Sequence, residues 1–290
     1  MLRASLLTLL ALVAFAANSV LCRWALGDNT VDASSFTIIR LLSGAVVLYA
    51  IVSASTDRAE LAAAGSWLSS AALFIYALAF SFAYISLSTG TGALVLFGAV
   101  QLTIIVISLI TGHRLYAIEW VGLVLAFCGF IFLSLPGVTA PSPIGFTLMT
   151  IAGIAWGVYT LQGRGSNKPL LDTAANFIRT LPMVLALAAI MFSTQLSGPE
   201  LSSRGILLAV LSGAIASGLG YSIWYAALPS LSASQAAVVQ LLVPVIAALG
   251  GVVFVGEAIT VRLSVATVLI LGGILVVILG RKYFADAATK

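Results

Sequence analysis

Nine side chains stand out because their chemistry does not suit their surroundings. Asn18, Tyr76, Phe97, Gln101, Trp156, Tyr159, Tyr221, Trp224 and Gln240 lie deep inside long apolar runs. A buried amide or hydroxyl without a hydrogen-bond partner costs roughly 2–7 kcal/mol. In a membrane these groups must therefore turn toward one another or toward a wet cavity. As a set they offer aromatic faces, amides and hydroxyls. That chemistry holds an amphiphilic small molecule; it does not break a bond. Trp156 and Tyr159 are three residues apart, as are Tyr221 and Trp224, so each pair shares one helical face. The competing reading is that such groups only tie helices together. Their concentration in six of ten apolar segments, the first, third, fourth, sixth, eighth and ninth, favours a substrate-binding cavity.

Catalytic patterns are missing from the sequence. His113, the single histidine, sits beside Gly112 at a segment end and reads as a solvated turn residue. Cys22 and Cys128 fall inside apolar segments and read as buried filler. Without a Cys/His cluster, paired carboxylates or a phosphate loop, the sequence points to no metal, no cofactor and no enzyme. The nine carboxylates, Asp28, Asp32, Asp57, Glu60, Glu119, Asp172, Glu200, Glu257 and Asp286, fall in loops or at segment ends. An exchanger of cationic drugs for protons needs an acid within the membrane, and none is placed there. Arg40 and Arg179 lie about two turns into their segments. Each could bind a substrate carboxylate or extend its head to the near interface; the second reading is preferred.

The segments that carry these residues define the class. Of the 290 residues, 61% are hydrophobic and 8% charged, against about 25% charged in soluble domains. Lipid must be the solvent for most of the surface. Runs of roughly 20 apolar residues, broken by charges, Gly, Pro and Ser, predict helices at 4–26, 33–54, 65–87, 90–111, 116–135, 144–163, 172–194, 204–228, 233–255 and 262–281. The first resembles a signal peptide around Ala14-Phe15-Ala16-Ala17, but its apolar run continues through Cys22 and is read as a span. Arg3, Arg58, Arg114, Arg164, Lys168, Arg281, Lys282 and Lys290 fall on the side of the N-terminus, and Arg23, Arg204 and Arg262 on the other. This bias predicts cytoplasmic termini in a bacterial-type inner membrane. It also accounts for the net charge of +4, so nucleic acid is not an expected partner.

The second five segments echo the first five. Phe15, Asn18 and Arg23 recur as Trp156, Tyr159 and Arg164, and Tyr84 as Tyr225, each 141 residues on. Arg40 corresponds to Arg179. Gly112-His113-Arg114-Leu115 corresponds to Gly256-Glu257-Ala258-Ile259, and Gly129 to Gly273, both 144 on. Five is odd, so the second copy must cross the membrane in the opposite sense, the architecture of a carrier with a central site. The expected units are 1–140 and 141–290.

These motifs resemble those of the drug/metabolite transporter superfamily, in its EamA-repeat branch, along nearly the whole chain. The first helix of such repeats looks like Trp-Gly-Ser-Asn with a basic residue five positions after the Asn. Phe15-Ala16-Ala17-Asn18 with Arg23, and Trp156-Gly157-Val158-Tyr159 with Arg164, fit it in part. Pro244, thirteen residues before Glu257, fits the fourth helix of the second repeat; Val100 and His113 stand at those places in the first. Gly220-Tyr221-Ser222-Ile223-Trp224 is similar to the aromatic amino-acid exporters. The resemblance implies an all-α membrane protein of ten helices in two inverted five-helix repeats, exporting neutral or aromatic amino acids by alternating access, with the small-molecule substrate and membrane lipid as its partners. A carrier of sugars or nucleotide-sugars is the alternative within transport, and a non-transporting scaffold the alternative outside it.

Overall fold

The computed structural model describes residues 2–54, 56–112, 115–137, 140–163, 166–193, 201–231 and 233–288. Among them the regular structure is helical, apart from one isolated antiparallel bridge between Val31 and Leu201. Ten helices are long and apolar enough to cross a membrane: Arg3–Gly27, Ala33–Ser53, Trp67–Tyr84, Thr89–Ile110, Ala117–Ser134, Pro143–Gln162, Pro169–Ser193, Ser203–Ser230, Gln235–Val255 and Val261–Gly280. They are called helices one to ten. Every boundary lies within about three residues of its expected place, because charges and turn residues end apolar runs where the hydrocarbon ends. Ten crossings return the chain to its starting side, here the terminal end of the bundle; the other is the distal end.

Several helix starts are written in local chemistry. The Asp32 carboxylate accepts from the Ser34 and Ser35 N–H groups and opens helix two. Ser66 does the same for helix three. Ser142 followed by Pro143 opens helix six. Other helices depart from regularity. Helix seven breaks at Thr180, two residues before Pro182. Helix eight widens into a π-helix over Leu211–Leu219. Helix nine is interrupted by a turn at Leu241 and Leu242, just before Pro244, and ends in a π turn over Gly251–Val255. Helix four, with Val100 where helix nine has Pro244, runs unbroken from Thr89 to Ile110. A proline removes a backbone donor and so accompanies the break in helix nine, while helix four, without one, has none.

Packing follows a two-fold pattern. Helix six packs on helices three and four, and helix one packs on helices eight and nine. Helices five and ten pack mainly on each other. A Cβ on Gly122 would lie 2.5 Å from the Gly273 carbonyl oxygen, so glycine permits this close backbone approach. The sequence placed helices two, five, seven and ten outside the polar centre, which holds for five and ten only. Helix two buries Arg40 and pairs Thr37 with Ser81 at 2.9 Å. Helix seven buries Thr173, Asn176, Phe177 and Thr180. Cys22 is buried as expected, whereas Cys128 is exposed on the bundle surface; among the described residues no helix covers that face of helix five.

Candidate functional site

Near the middle of their helices, aromatic rings from both halves form a continuous cluster. Trp156 of helix six stacks on Tyr159 at 5.1 Å and on Tyr221 of helix eight at 5.4 Å. It also meets Tyr76 of helix three at 4.8 Å. Tyr221 touches Phe15 of helix one at 5.8 Å and Phe177 of helix seven at 6.1 Å. Phe15 meets Trp224 edge-on at 5.7 Å. Ring pairs at these separations contribute about 0.5–1.5 kcal/mol each beyond the area they bury. Tyr76, Tyr159, Tyr221 and Trp224 are buried, while Phe15 and Trp156 are half-buried.

Polar contacts fix the cluster from behind. The Tyr159 hydroxyl donates to Thr173 Oγ1 at 3.3 Å, and Thr173 Oγ1 donates to the Tyr225 hydroxyl at 3.0 Å. Arg40 Nη2 donates to the Tyr76 hydroxyl at 2.9 Å. The Arg40 guanidinium carbon stands 5.1 Å from the Tyr76 ring centre and 4.8 Å from that of Phe80. Arg40 is 2% exposed, among the largest fully buried side chains in the molecule. The expectation that it reaches the interface is overturned: helix two runs between helices seven and eight, which close the route outward. Its counterpart Arg179 does behave as expected, donating to the Ala62 carbonyl at 2.7 Å and to that of Ala64 near the terminal end.

The structure brings together five of the nine sequence-derived residues in this cluster: Tyr76, Trp156, Tyr159, Tyr221 and Trp224. Asn18 faces helix eight, where its Oδ1 accepts from Ser212 at 2.8 Å and Ser217 at 3.3 Å within the π segment. Its oxygen ties two helices together. Phe97 and Gln101 are buried on helix four, and Gln240 is half-buried where helix nine breaks; none of the three joins the ring contacts. Arg40, Phe15, Phe80 and Phe177 were not among the expected site residues. Three left a signal in the repeat: Arg40 corresponds to Arg179, Phe15 corresponds to Trp156, and Phe80 precedes Tyr221 by the same 141 residues.

Contacts between the halves tie both ends of the bundle. Distally, Arg23 Nε pairs with Glu257 Oε1 at 3.1 Å, while Arg23 Nη1 donates to the Tyr84 and Ile85 carbonyls at 3.0 Å. Glu257 Oε2 accepts from the Thr89 N–H at 2.8 Å. Arg204 pairs with Asp28 at 3.0 Å. At the terminal end Lys168 pairs with Glu60, Asp172 accepts from the Gly65 N–H and Asn176 from the Ser66 N–H, each at 2.8 Å. The repeat counterparts of the Arg23–Glu257 pair, Arg164 and His113, lie outside the described residues, as does Glu200. Among the described residues no group of three or more His, Cys, Asp or Glu side chains could hold a metal ion.

The EamA-like transporter family matches residues 143–279. An uncharacterised protein of Pseudomonas aeruginosa is 50% identical over 279 residues, which span 96% of each chain. The chain belongs to the EamA-like transporter family. A protein of Archaeoglobus fulgidus described as an uncharacterised transporter is 26% identical over 208 residues, 70% of this chain and 73% of its own. A crystal structure of a protein 19% identical aligns over 93% of this chain and 97% of that one with a TM-score of 0.61, a likeness of fold. In this EamA-like transporter the walls of the ring cluster come from both halves of the chain.

Proposed function

We propose that this EamA-like transporter exports small amphiphilic metabolites across a bacterial inner membrane, with neutral or aromatic amino acids as its first substrates. The observation that carries this reading is the ring cluster of Tyr76, Trp156, Tyr159, Tyr221 and Trp224. Such a surface binds a flat apolar side chain, and neighbouring hydroxyl and guanidinium groups hold the polar end. Gln101 and Gln240 add amide handles once the site opens. Helices three, four and six act as one moving body and helices one, eight and nine as the other, each drawn from both units 1–140 and 141–290. The distal ties and the terminal ties share no residue, so releasing one set leaves the other intact, as alternating access requires. The excess of Lys and Arg at the terminal end sets both termini in the cytoplasm. A nucleotide-sugar carries several phosphate charges, and Arg40 is the one basic side chain buried at this centre among the described residues, which favours the amino-acid reading over that alternative.

The test is uptake of radiolabelled substrates into proteoliposomes, using phenylalanine, tryptophan, leucine, glucose and a nucleotide-sugar. Flux of aromatic and large neutral amino acids above that of protein-free liposomes is the expected result. Flux of sugars alone overturns the substrate reading, and no flux of any probe favours a scaffold.

A further inference from the structure

Arg40 presents a charge problem that the cluster alone does not resolve. It lies seven residues past the start of helix two, about 10 Å along the axis, and is 2% exposed. Nη2 is satisfied by Tyr76, but Nη1 is buried without a hydrogen-bond partner. Among the described residues the ion pairs are Arg23–Glu257, Lys168–Glu60 and Arg204–Asp28, all at the bundle ends. None of these pairs includes Arg40. The Tyr76 and Phe80 rings offer cation–π contact only. An unpaired buried charge is strongly destabilising, and an intramembrane cation without a protein counter-charge marks a ligand site.

We propose that Arg40 is the anion anchor of the central site, and that the carrier selects carboxylates with a planar apolar body whether or not they bear an amino group. This rests on the transport reading above and names the charge class of its substrate. Tyr76 links the two parts: its hydroxyl holds Nη2, and its ring meets Trp156 at 4.8 Å. A carboxylate on Nη1 therefore lies beside the aromatic wall, in the relation of the acid group to the ring of an arylalkanoate. Arginine suits this task, since its planar fork matches a carboxylate. A substrate ammonium finds no acid side chain in this cluster, so removing it costs little.

The experiment uses the purified full chain in detergent and chloride-free isethionate buffer. Melting temperature is followed against 3-phenylpropionate, phenylalanine, phenylalaninamide and chloride, for wild type, Arg40→Lys and Arg40→Met. The two carboxylates should raise the melting temperature to similar extents, and the amide and chloride should not. Arg40→Met should melt at or above wild type, because a buried charge is gone, and should bind 3-phenylpropionate at least 30-fold more weakly. Arg40→Lys should keep part of the response. An equal response to the amide, a response to chloride equal to that of the carboxylates, no response to either carboxylate, or an Arg40→Met protein that melts lower yet still responds would each overturn the proposal. Phenylalanine flux in proteoliposomes with the amide competing as well as the acid leaves the transport reading standing and removes this one. Carboxylate binding without flux of any probe does the reverse.

Discussion

Replacing Glu257 by Gln should loosen the distal end of the carrier, and the structure sets the size of the effect. Glu257 accepts from Arg23 Nε at 3.1 Å and from the Thr89 N–H at 2.8 Å. A glutamine keeps one carbonyl oxygen, enough for Thr89, but turns an N–H group toward Arg23. The ion pair is lost, while the Arg23 bonds to the Tyr84 and Ile85 carbonyls remain. Charge-assisted hydrogen bonds contribute about 1.5–3 kcal/mol, and exposed pairs about 0–1 kcal/mol. The Arg23 and Glu257 side chains are 23% and 16% exposed, so a loss of about 1–2 kcal/mol is expected from those limits. That shifts the balance toward the distally open form by about 5–30-fold.

Cys22 is the natural reporter, since it is fully buried and adjoins Arg23. In a Cys128→Ala background in nanodiscs, a polar methanethiosulfonate reagent should modify Cys22 about 5–30-fold faster in Glu257→Gln than in its parent. Arg23→Gln should raise the rate at least as much, since it also removes the bonds to the Tyr84 and Ile85 carbonyls, and adding Glu257→Gln to it should change little, because the ion pair is already gone. A lowered melting temperature with an unchanged Cys22 rate would show that the pair supports the fold without gating access, and the reasoning would fail.

Four further outcomes are expected. Trp156→Ala removes three ring contacts and Trp224→Ala one, so the first should lose more melting temperature in detergent. Each should weaken binding of a bulky substrate by about 1–3 kcal/mol; full flux per folded molecule in both would return these rings to the core. Pro244→Ala should slow turnover more than it weakens binding, since it restores a backbone donor where helix nine breaks; stopped-flow flux with unchanged turnover would remove the hinge. A cysteine at Asp28 should react with an impermeant reagent in intact cells and one at Asp57 or Asn167 should not; external labelling of Asn167 would invert the topology. Gly213→Ala places a Cβ 2.1 Å from the Arg40 carbonyl oxygen and Ser43 Oγ. It should destabilise by about 1–3 kcal/mol, whereas Gly272→Ala, with nothing within 4 Å, should leave the melting temperature within error.

The helices were legible because a bilayer imposes a length, and charges end apolar runs at its faces. The ring cluster was legible in part, because Trp156 with Tyr159 and Tyr221 with Trp224 hold helical spacing that survives any arrangement of neighbours. Asn18 shows the limit. An amide within a membrane must be paired, but the sequence does not say whether with substrate or with a neighbouring helix. Its partners Ser212 and Ser217 are five residues apart and face one acceptor where helix eight widens to a π-helix, a distortion that apolar periodicity does not encode. Cys128 shows another limit, since an apolar segment reads alike whether it meets protein or lipid.

Arg40 and Arg179 take this furthest. They occupy matching places in the two repeats and are the same residue, so the sequence gives them one reading. Arg179 lies where the Ala62 and Ala64 carbonyls stand ready to accept its guanidinium. Arg40 meets the Tyr76 hydroxyl and two rings, in a wall closed by the near-contact of Gly213 with its own carbonyl. Shared ancestry predicts the path of the backbone; the function is drawn from where the copies diverge. Val100 and Pro244 make one fourth helix straight and the other broken. His113 and Glu257 give an acid to the distal tie and none to the matching turn. Of the two arginines only Arg40 is buried. A strictly symmetric carrier would present the same barrier on both sides of the membrane. If the carrier alternates as proposed, these three departures should give its two openings different energies, and the Cys22 rate in Glu257→Gln, the turnover of Pro244→Ala and the carboxylate response of Arg40→Met measure the three separately.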